Sequence, residues 1–299
     1  MVSVTERIQQ LKKERNAIIL AHNYTLSEIQ DLADFVGDSL GLSMEASKTS
    51  ADVIVFCGVT FMGETAKILS PDKTVLLPEP DAHCAMAAMC TGKQIKDYKT
   101  AHPGCTVVGY VNSTAESKKE MDVCCTSSNV IKVIESLRGK DVLLVPDRNL
   151  GVYASSETGI PIKLWNGFCS VHHGITAAQV MDLMQKYPDA LVMAHPECRT
   201  EVLELADHVG STESMIRTAR TSDKWEFIVL TEIGMRHRLK KENPGKTFHF
   251  LENAVCTTMK MISPESVLDS LENGTGEVTL GRDVLEGARA PVVRMMDLT

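Results

Sequence analysis

Leu32-Ala33-Asp34-Phe35-Val36-Gly37-Asp38-Ser39 and Leu205-Ala206-Asp207-His208-Val209-Gly210-Ser211-Thr212 are two versions of one segment. The match extends upstream, where Ala21-His22-Asn23-Tyr24 stands above Ala194-His195-Pro196-Glu197, each aspartate falling 12 residues after its histidine. A fainter third copy begins at Tyr110-Val111-Asn112. It has Asp122 at the same offset of 12, and Ser127 at the offset of 17 that Ser39 and Thr212 also hold. Each copy then runs on to a cysteine: 45 residues from Ser39 to Cys84, 42 from Ser127 to Cys169 and 44 from Thr212 to Cys256. Three such coincidences in register mark an internal triplication with a period near 85 residues.

Short apolar runs, mostly β-branched, alternate with helix-like stretches. Ala17–Leu20, Val53–Phe56, Thr74–Leu77, Thr106–Tyr110, Val142–Val145, Leu191–Met193 and Phe227–Leu230 read as strands. Leu26–Phe35, Glu64–Leu69, Ala177–Tyr187 and Arg236–Glu242 read as helices between them. Alternation of this kind means βαβ units, and runs that are apolar throughout suit parallel strands buried on both faces. The expected fold is therefore α/β: three similar parallel-sheet units in pseudo-threefold arrangement around a central active site. Parallel sheets bind ligands beyond the carboxyl ends of their strands, so equivalent residues of the three units should meet in one cavity. The expected division is residues 1–84 with 257–299, then 85–169, then 170–256. The tail should form helices near Glu265–Leu271 and Arg282–Ala290 that pack back on the first unit.

Composition narrows the function. The chain has 299 residues, is 43% apolar and carries a net charge of −8, with no basic stripe to displace counterions from nucleic acid. No apolar run reaches the roughly 20 residues that span a membrane, and the first residues lack the pattern of a signal peptide. The expectation is a cytoplasmic protein that binds neither nucleic acid nor membrane. Nine cysteines, an odd number in a reducing compartment, argue against a disulfide framework. Cys57, Cys105, Cys124 and Cys125 sit in apolar contexts and read as small buried residues.

Cys84, Cys169 and Cys256 differ from these, because each follows a strand in a loop near the proposed axis. Three thiolates there can hold zinc with one position open, or an iron–sulfur cluster with one iron free; spacing alone does not separate the two. Cys90 and Cys198 break the threefold pattern and are left out of the set. Met86, Met89 and Met259 near the cysteine loops read as cavity lining. His22, Tyr24, Tyr110, Asn112, His195 and Glu197 fall where strand gives way to helix. The histidines and the glutamate there could move protons, and the tyrosines and the asparagine could donate hydrogen bonds. Ser39, Ser127 and Thr212, at equivalent offsets, should form a ring of hydroxyls facing the cysteines. Ser27-x-x-Gln30 and Ser113-x-x-Glu116 match capping boxes, and helix starts of that kind favour anions.

With these motifs in view, the sequence resembles the quinolinate synthase family. The resemblance rests on Ala21-His22-Asn23-Tyr24, Gly37-Asp38-Ser39, Tyr110-Val111-Asn112-Ser113, Thr126-Ser127, Pro146-Asp147-Arg148-Asn149-Leu150, His195-Pro196-Glu197-Cys198, Gly210-Ser211-Thr212 and Thr231-Glu232-Ile233-Gly234-Met235, and it covers nearly the whole chain. It implies a transferase with one 4Fe-4S iron–sulfur cluster on Cys84, Cys169 and Cys256. The fourth iron would be an open Lewis acid. It implies condensation of dihydroxyacetone phosphate with iminosuccinate to quinolinate, phosphate and water, for NAD biosynthesis, with transient contact to the enzyme that supplies iminosuccinate. It carries over His22, Ser39, Tyr110, Val111, Asn112, Ser127, His172, His195, Pro196, Glu197 and Thr212 as substrate contacts. Tyr24, His195 and Glu197 would move protons. The segment Val255-Cys256-Thr257-Thr258-Met259 lacks the second cysteine that some relatives carry there as a redox switch, and Ser170-Val171-His172-His173 offers two histidines, of which His172 is the expected pocket residue. Competing readings are another 4Fe-4S hydro-lyase acting on a hydroxy acid, a non-catalytic iron–sulfur redox sensor, and a zinc enzyme.

Overall fold

The structure, a computed structural model, describes residues 3–298. The first sheet contains β1 (Ala17–His22), β2 (Phe35–Gly37), β3 (Val53–Cys57) and β4 (Thr74–Leu76). The second contains β5 (Thr106–Tyr110), β6 (Val123–Cys125), β7 (Val142–Val145) and β8 (Lys163–Leu164). The third contains β9 (Leu191–Ala194), β10 (His208–Val209), β11 (Glu226–Leu230) and β12 (Thr247–Phe250). All three share one order, second-first-third-fourth, and all their named pairings are parallel. The α/β fold is thus three similar parallel-sheet units, as the repeat implies. The third strands β3 and β7 are buried along their whole length, which is why they read as continuous apolar runs.

The repeated aspartate has a structural duty that the sequence did not disclose. Asp34 donates its backbone N–H to the Ile19 carbonyl at 2.9 Å, and its carboxylate accepts the Ile19 N–H at 2.8 Å. Asp122 makes the same pair with Val107 at 3.0 and 2.8 Å, and Asp207 with Val192 at 2.9 and 2.9 Å. Each second strand is only two or three residues long, so a side chain completes the ladder that the short strand cannot. This also corrects the expected helix Leu26–Phe35. It stops at Leu32, and Phe35 already lies in β2. Asp122→Ala should cost about 1 kcal/mol of stability in denaturant unfolding, the worth of an ordinary hydrogen bond, since the carboxylate is partly exposed to water. It should leave any activity intact, and an unchanged midpoint would remove this account of the repeat.

The tail makes two helices. Pro264–Asn273 lies on Val4–Glu14 of the first unit, where Arg7 Nε meets Glu272 at 2.8 Å. Arg282–Asp297 runs on through Pro291 and reaches further than expected. It packs on Thr60–Leu69 of the first unit and also on β6 and the helix Ala115–Lys118 of the second. The two expected capping boxes do not form. The helix Ser27–Leu32 has no side-chain cap, and Gln30 instead donates to the carbonyls of Asn23, Thr25 and Gly234, each at 3.0 Å. The helix Ala115–Lys118 is capped by Thr114, while the Ser113 hydroxyl donates to the Tyr110 carbonyl. Among the described residues no helix is long and apolar enough to cross a membrane.

Candidate active site

A cavity of about 160 Å³ opens where the carboxyl ends of the three sheets meet. His22, Tyr24 and Ser39 line it from the first unit, Tyr110, Asn112 and Ser127 from the second, and His172, His195, Glu197 and Thr212 from later in the chain. Cys84, Cys169 and Cys256 line the same cavity, one from the loop after each unit's fourth strand. Two expected residues, Val111 and Pro196, are not among the lining. They share one repeat position with Asn23, directly after the central strand. There the Asn23 and Val111 backbones close onto the carbonyls of Gly37 and Cys125, and proline has no N–H to do so. Met86 and Met259 line the cavity, but Met89 does not; its carbonyl accepts the Trp165 indole N–H at 2.8 Å. Cys90 and Cys198 are buried and also lie outside the lining.

The triplication fixes two ring tautomers. The Tyr24 N–H donates to His22 Nδ1 at 3.2 Å, and the Glu197 N–H donates to His195 Nδ1 at 3.4 Å. Each Nδ1 therefore accepts, and the ring hydrogen sits on Nε2. Burial above all holds both rings down at about 3, against the pull of the Glu197 charge, so both are neutral donors near pH 7. The His172 ring stacks on that of His195, with centroids 4.5 Å apart.

His172 is the hub of a hydrogen-bonded chain. Its Nδ1 lies 2.7 Å from Glu197 Oε2 and 3.3 Å from Cys169 Sγ. Its Nε2 lies 2.9 Å from the Thr231 hydroxyl, which lies 2.7 Å from the Tyr24 hydroxyl. Burial would raise the Glu197 carboxyl. His172 and His195, with hydrogen bonds from His172 and Tyr110, outweigh that and hold it down at about 2. Burial, and then the Glu197 charge, push the Tyr24 and Tyr110 phenols well above their usual range, so both keep their protons. The neighbouring His173 points elsewhere, with Nδ1 3.2 Å from the Asn149 amide, so of the two histidines it is His172 that faces the cavity.

The hydroxyl positions are free of capping work. Ser39 and Thr212 begin the helices Ser39–Lys48 and Thr212–Thr221, but the caps are the residues before them, Asp38 on the Gly41 N–H and Ser211 on the Ser214 N–H. Ser127 stands three residues ahead of the helix Val130–Glu135.

Behind the cysteines stand two carboxylates to which sequence reasoning assigned no role. Asp147 Oδ2 accepts the Cys169 N–H at 3.2 Å, and Glu232 Oε1 accepts the Cys256 N–H at 3.0 Å. Both side chains are fully buried. Each lies 37 residues after the first residue of its repeat motif, Tyr110 or His195, and that shared offset was the available signal. The first unit has Val59 at this place. Lys260 neutralises Glu232 at 2.9 Å and also donates to the Tyr24 carbonyl at 2.5 Å. Burial, then the Glu197 charge, push Asp147 up to about 8 against the pull of three backbone N–H groups.

Comparison with known proteins agrees with this architecture. The family model described as quinolinate synthetase A protein matches residues 6–297. A quinolinate synthase of Dehalococcoides mccartyi strain CBDB1 is 52% identical over 294 residues, covering 98% of this chain and 97% of that protein. One from Methanosarcina barkeri strain Fusaro is 51% identical over 292 residues, covering 97% and 96%. One from Aquifex aeolicus strain VF5 is 45% identical over 303 residues, covering 98% and 94%. With the match running through all three repeats, the chain belongs to the quinolinate synthetase A family.

Proposed function

We propose that the protein is a quinolinate synthase of the transferase class that condenses dihydroxyacetone phosphate with iminosuccinate, releasing quinolinate, phosphate and water for NAD biosynthesis in the cytoplasm. The observation that carries this reading is the convergence of one cysteine from each repeat with two neutral histidines, three hydroxyls free of capping work and a Glu–His–Thr–Tyr chain. The same reading divides the chain at residues 84, 169 and 256, with residues 257–299 joined to the first unit. Transient contact with the enzyme that forms iminosuccinate belongs to it too.

The three cysteines suit a 4Fe-4S cluster better than one zinc ion. Zinc at about 2.3 Å from each thiolate would bring three sulfurs within roughly 4 Å of one another. Among the described residues, the group whose ligand atoms all lie within 4.8 Å is Cys169, His172 and Glu197 instead. There His172 and Glu197 are already hydrogen-bonded to each other. Cysteines spread more widely fit a cluster in which each binds a different iron. The sulfurs also meet donors, the Met86 and Ala87 N–H groups for Cys84, the His172 N–H for Cys169 and the Thr258 hydroxyl for Cys256. When bound, such a cluster supplies an open iron as a Lewis acid for a substrate oxygen.

The residues supply the rest. His22 and His195, each with Nε2–H, and the hydroxyls of Ser39, Ser127 and Thr212 offer donors to carboxylate and phosphate oxygens. The buried Oδ1 of Asn112 has no partner among the described residues and would accept a substrate N–H or O–H. Tyr24 holds its proton and would deliver it, with Thr231 passing a replacement proton to or from His172. Glu197 would stabilise His172 when its ring is charged. Water loss and ring closure need proton movement and no net change of oxidation state.

Anaerobically purified protein should be brown and hold roughly four irons per chain. It should form quinolinate from dihydroxyacetone phosphate and iminosuccinate generated in the assay. Iron-loaded protein that makes no quinolinate but dehydrates a hydroxy acid would replace this reading with that of a hydro-lyase.

A further inference from the structure

Asn23 lies between the two site residues His22 and Tyr24, yet its side chain leaves the first unit's part of the cavity and reaches into the third unit. It is fully buried. Its Nδ2 lies 2.8 Å from Thr212 Oγ1, and its Oδ1 lies 2.9 Å from a guanidinium nitrogen of Arg238. Arg238 is held in turn by Glu213, with one contact at 3.1 Å and a shorter one beside it, and by Glu242 at 2.7 Å.

The direction of every hydrogen bond in this chain is determined. Guanidinium has only donors, so the Asn23 atom facing it must be the oxygen. The amide nitrogen therefore faces Thr212, and Nδ2 has only hydrogens to offer. The Thr212 oxygen must accept, which leaves its own O–H to point away from Asn23. Thr212 lines the cavity and has no cap to make.

We propose that Asn23, locked by Arg238, is a positioning residue that turns the Thr212 hydroxyl into an obligatory donor aimed at a carboxylate or phosphate oxygen of the substrate. The inference rests on the reading of the cavity as a site for such anions. Repeat geometry alone does not account for the arrangement, because the equivalent positions hold Val111 and Pro196, which cannot form it. A hydroxyl free to rotate spends part of its time as an acceptor facing an anion. Removing that freedom discriminates for anionic oxygens without placing a positive charge in the cavity.

Asn23→Asp tests this by reversing polarity at nearly constant shape. The new carboxylate keeps Arg238 but presents an acceptor to Thr212, whose single hydrogen then turns away from the cavity. The dissociation constant of quinolinate, measured by titration calorimetry on the iron-loaded protein, and the KM for dihydroxyacetone phosphate report the loss. At least one should rise roughly tenfold to a hundredfold, the worth of one charge-assisted hydrogen bond, with the melting temperature little changed. Thr212→Val should cost a similar factor, and Asn23→Asp should cost much less in the Thr212→Val background. A penalty equally large in that background reports only the added negative charge and overturns the proposal. If Thr212→Val weakens binding while Asn23→Asp does not, the anion site stands and Asn23 has no part in it. If Thr212→Val has no effect on either constant, the assignment of Thr212 to the anion site fails as well. Arg238→Met, which frees the Asn23 amide to flip, provides a second variant should Asn23→Asp not accumulate; it should move the same constants by a smaller factor, and no movement would overturn the proposal.

Discussion

Cys84→Ala, Cys169→Ala and Cys256→Ala should each lose bound iron and sulfide together with quinolinate formation, while Cys57→Ala keeps all three. The contrast follows from position. The three proposed ligands stand in loops after the fourth strands and line one cavity, so replacing one removes a thiolate without breaking a sheet. Cys57 is fully buried at the end of β3 and pairs with Ala21 of β1; its loss costs packing rather than chemistry. Iron and sulfide counts, the visible spectrum and the melting temperature, all measured anaerobically, separate the two kinds of effect. A variant of any of the three that keeps a full complement of iron and normal turnover would sink the ligand assignment. Asp147→Asn and Glu232→Gln bear on the same loops, because each side chain accepts the backbone N–H of a proposed ligand, Asp147 from behind the cavity and Glu232 from its lining.

Much of this site could be read from the chain because chemistry and geometry repeat together. His22, Tyr110 and His195 end or directly follow the central strands of their sheets, and residues two and 17 further along therefore arrive at corresponding places around the cavity. Side chains with distinctive chemistry at such offsets are legible without coordinates. What stayed hidden was hidden for identifiable reasons. The second strands, of two or three residues, are too short to carry any hydrophobic period, and the aspartates that complete them look like ordinary loop residues. The strands Lys163–Leu164 and Thr247–Phe250 were missed likewise, one being exposed and the other having polar members. Asp147 and Glu232 recur in only two of three copies, so the pattern that exposed the cysteines did not single them out. Thr231 and Lys260 act through contacts with Tyr24, across 207 and 236 residues of chain, which no local reading anticipates. Capping signatures misled for the opposite reason: the spacing is right, yet loop carbonyls in need of donors take the Gln30 and Ser113 side chains first, and Ser27 falls one place inside its helix, after Leu26 at the cap position.

Glu197→Gln should lower turnover by roughly 10²–10⁴-fold, the range for loss of a group that supports proton transfer, with iron content and melting temperature close to those of the parent. The substitution suits its surroundings. A glutamine oxygen can still accept the His172 Nδ1–H, and its amide nitrogen then donates to the Tyr110 oxygen, whose own O–H must turn to the cavity that Tyr110 lines. What disappears is the charge. With Glu197 ionised, Nδ1 of His172 keeps its hydrogen, and Nε2 is left as an acceptor toward Thr231 and, through it, Tyr24. When a proton arrives at Nε2, the ring becomes cationic inside a cavity where His22 and His195 are neutral. Among the described residues the carboxylate in contact with that ring is Glu197, at 2.7 Å. A neutral amide leaves that cation uncompensated in a buried place, so the charged ring forms less readily and each step that needs it slows. Because the Glu197 carboxyl is held down at about 2, it stays ionised through the whole working range of pH, and the defect should appear as a lower plateau of kcat rather than as a displaced acid limb. A kcat within a few fold of the parent at full iron loading would reduce Glu197 to a residue that merely orients His172, and the proton path from Tyr24 would then need another terminus.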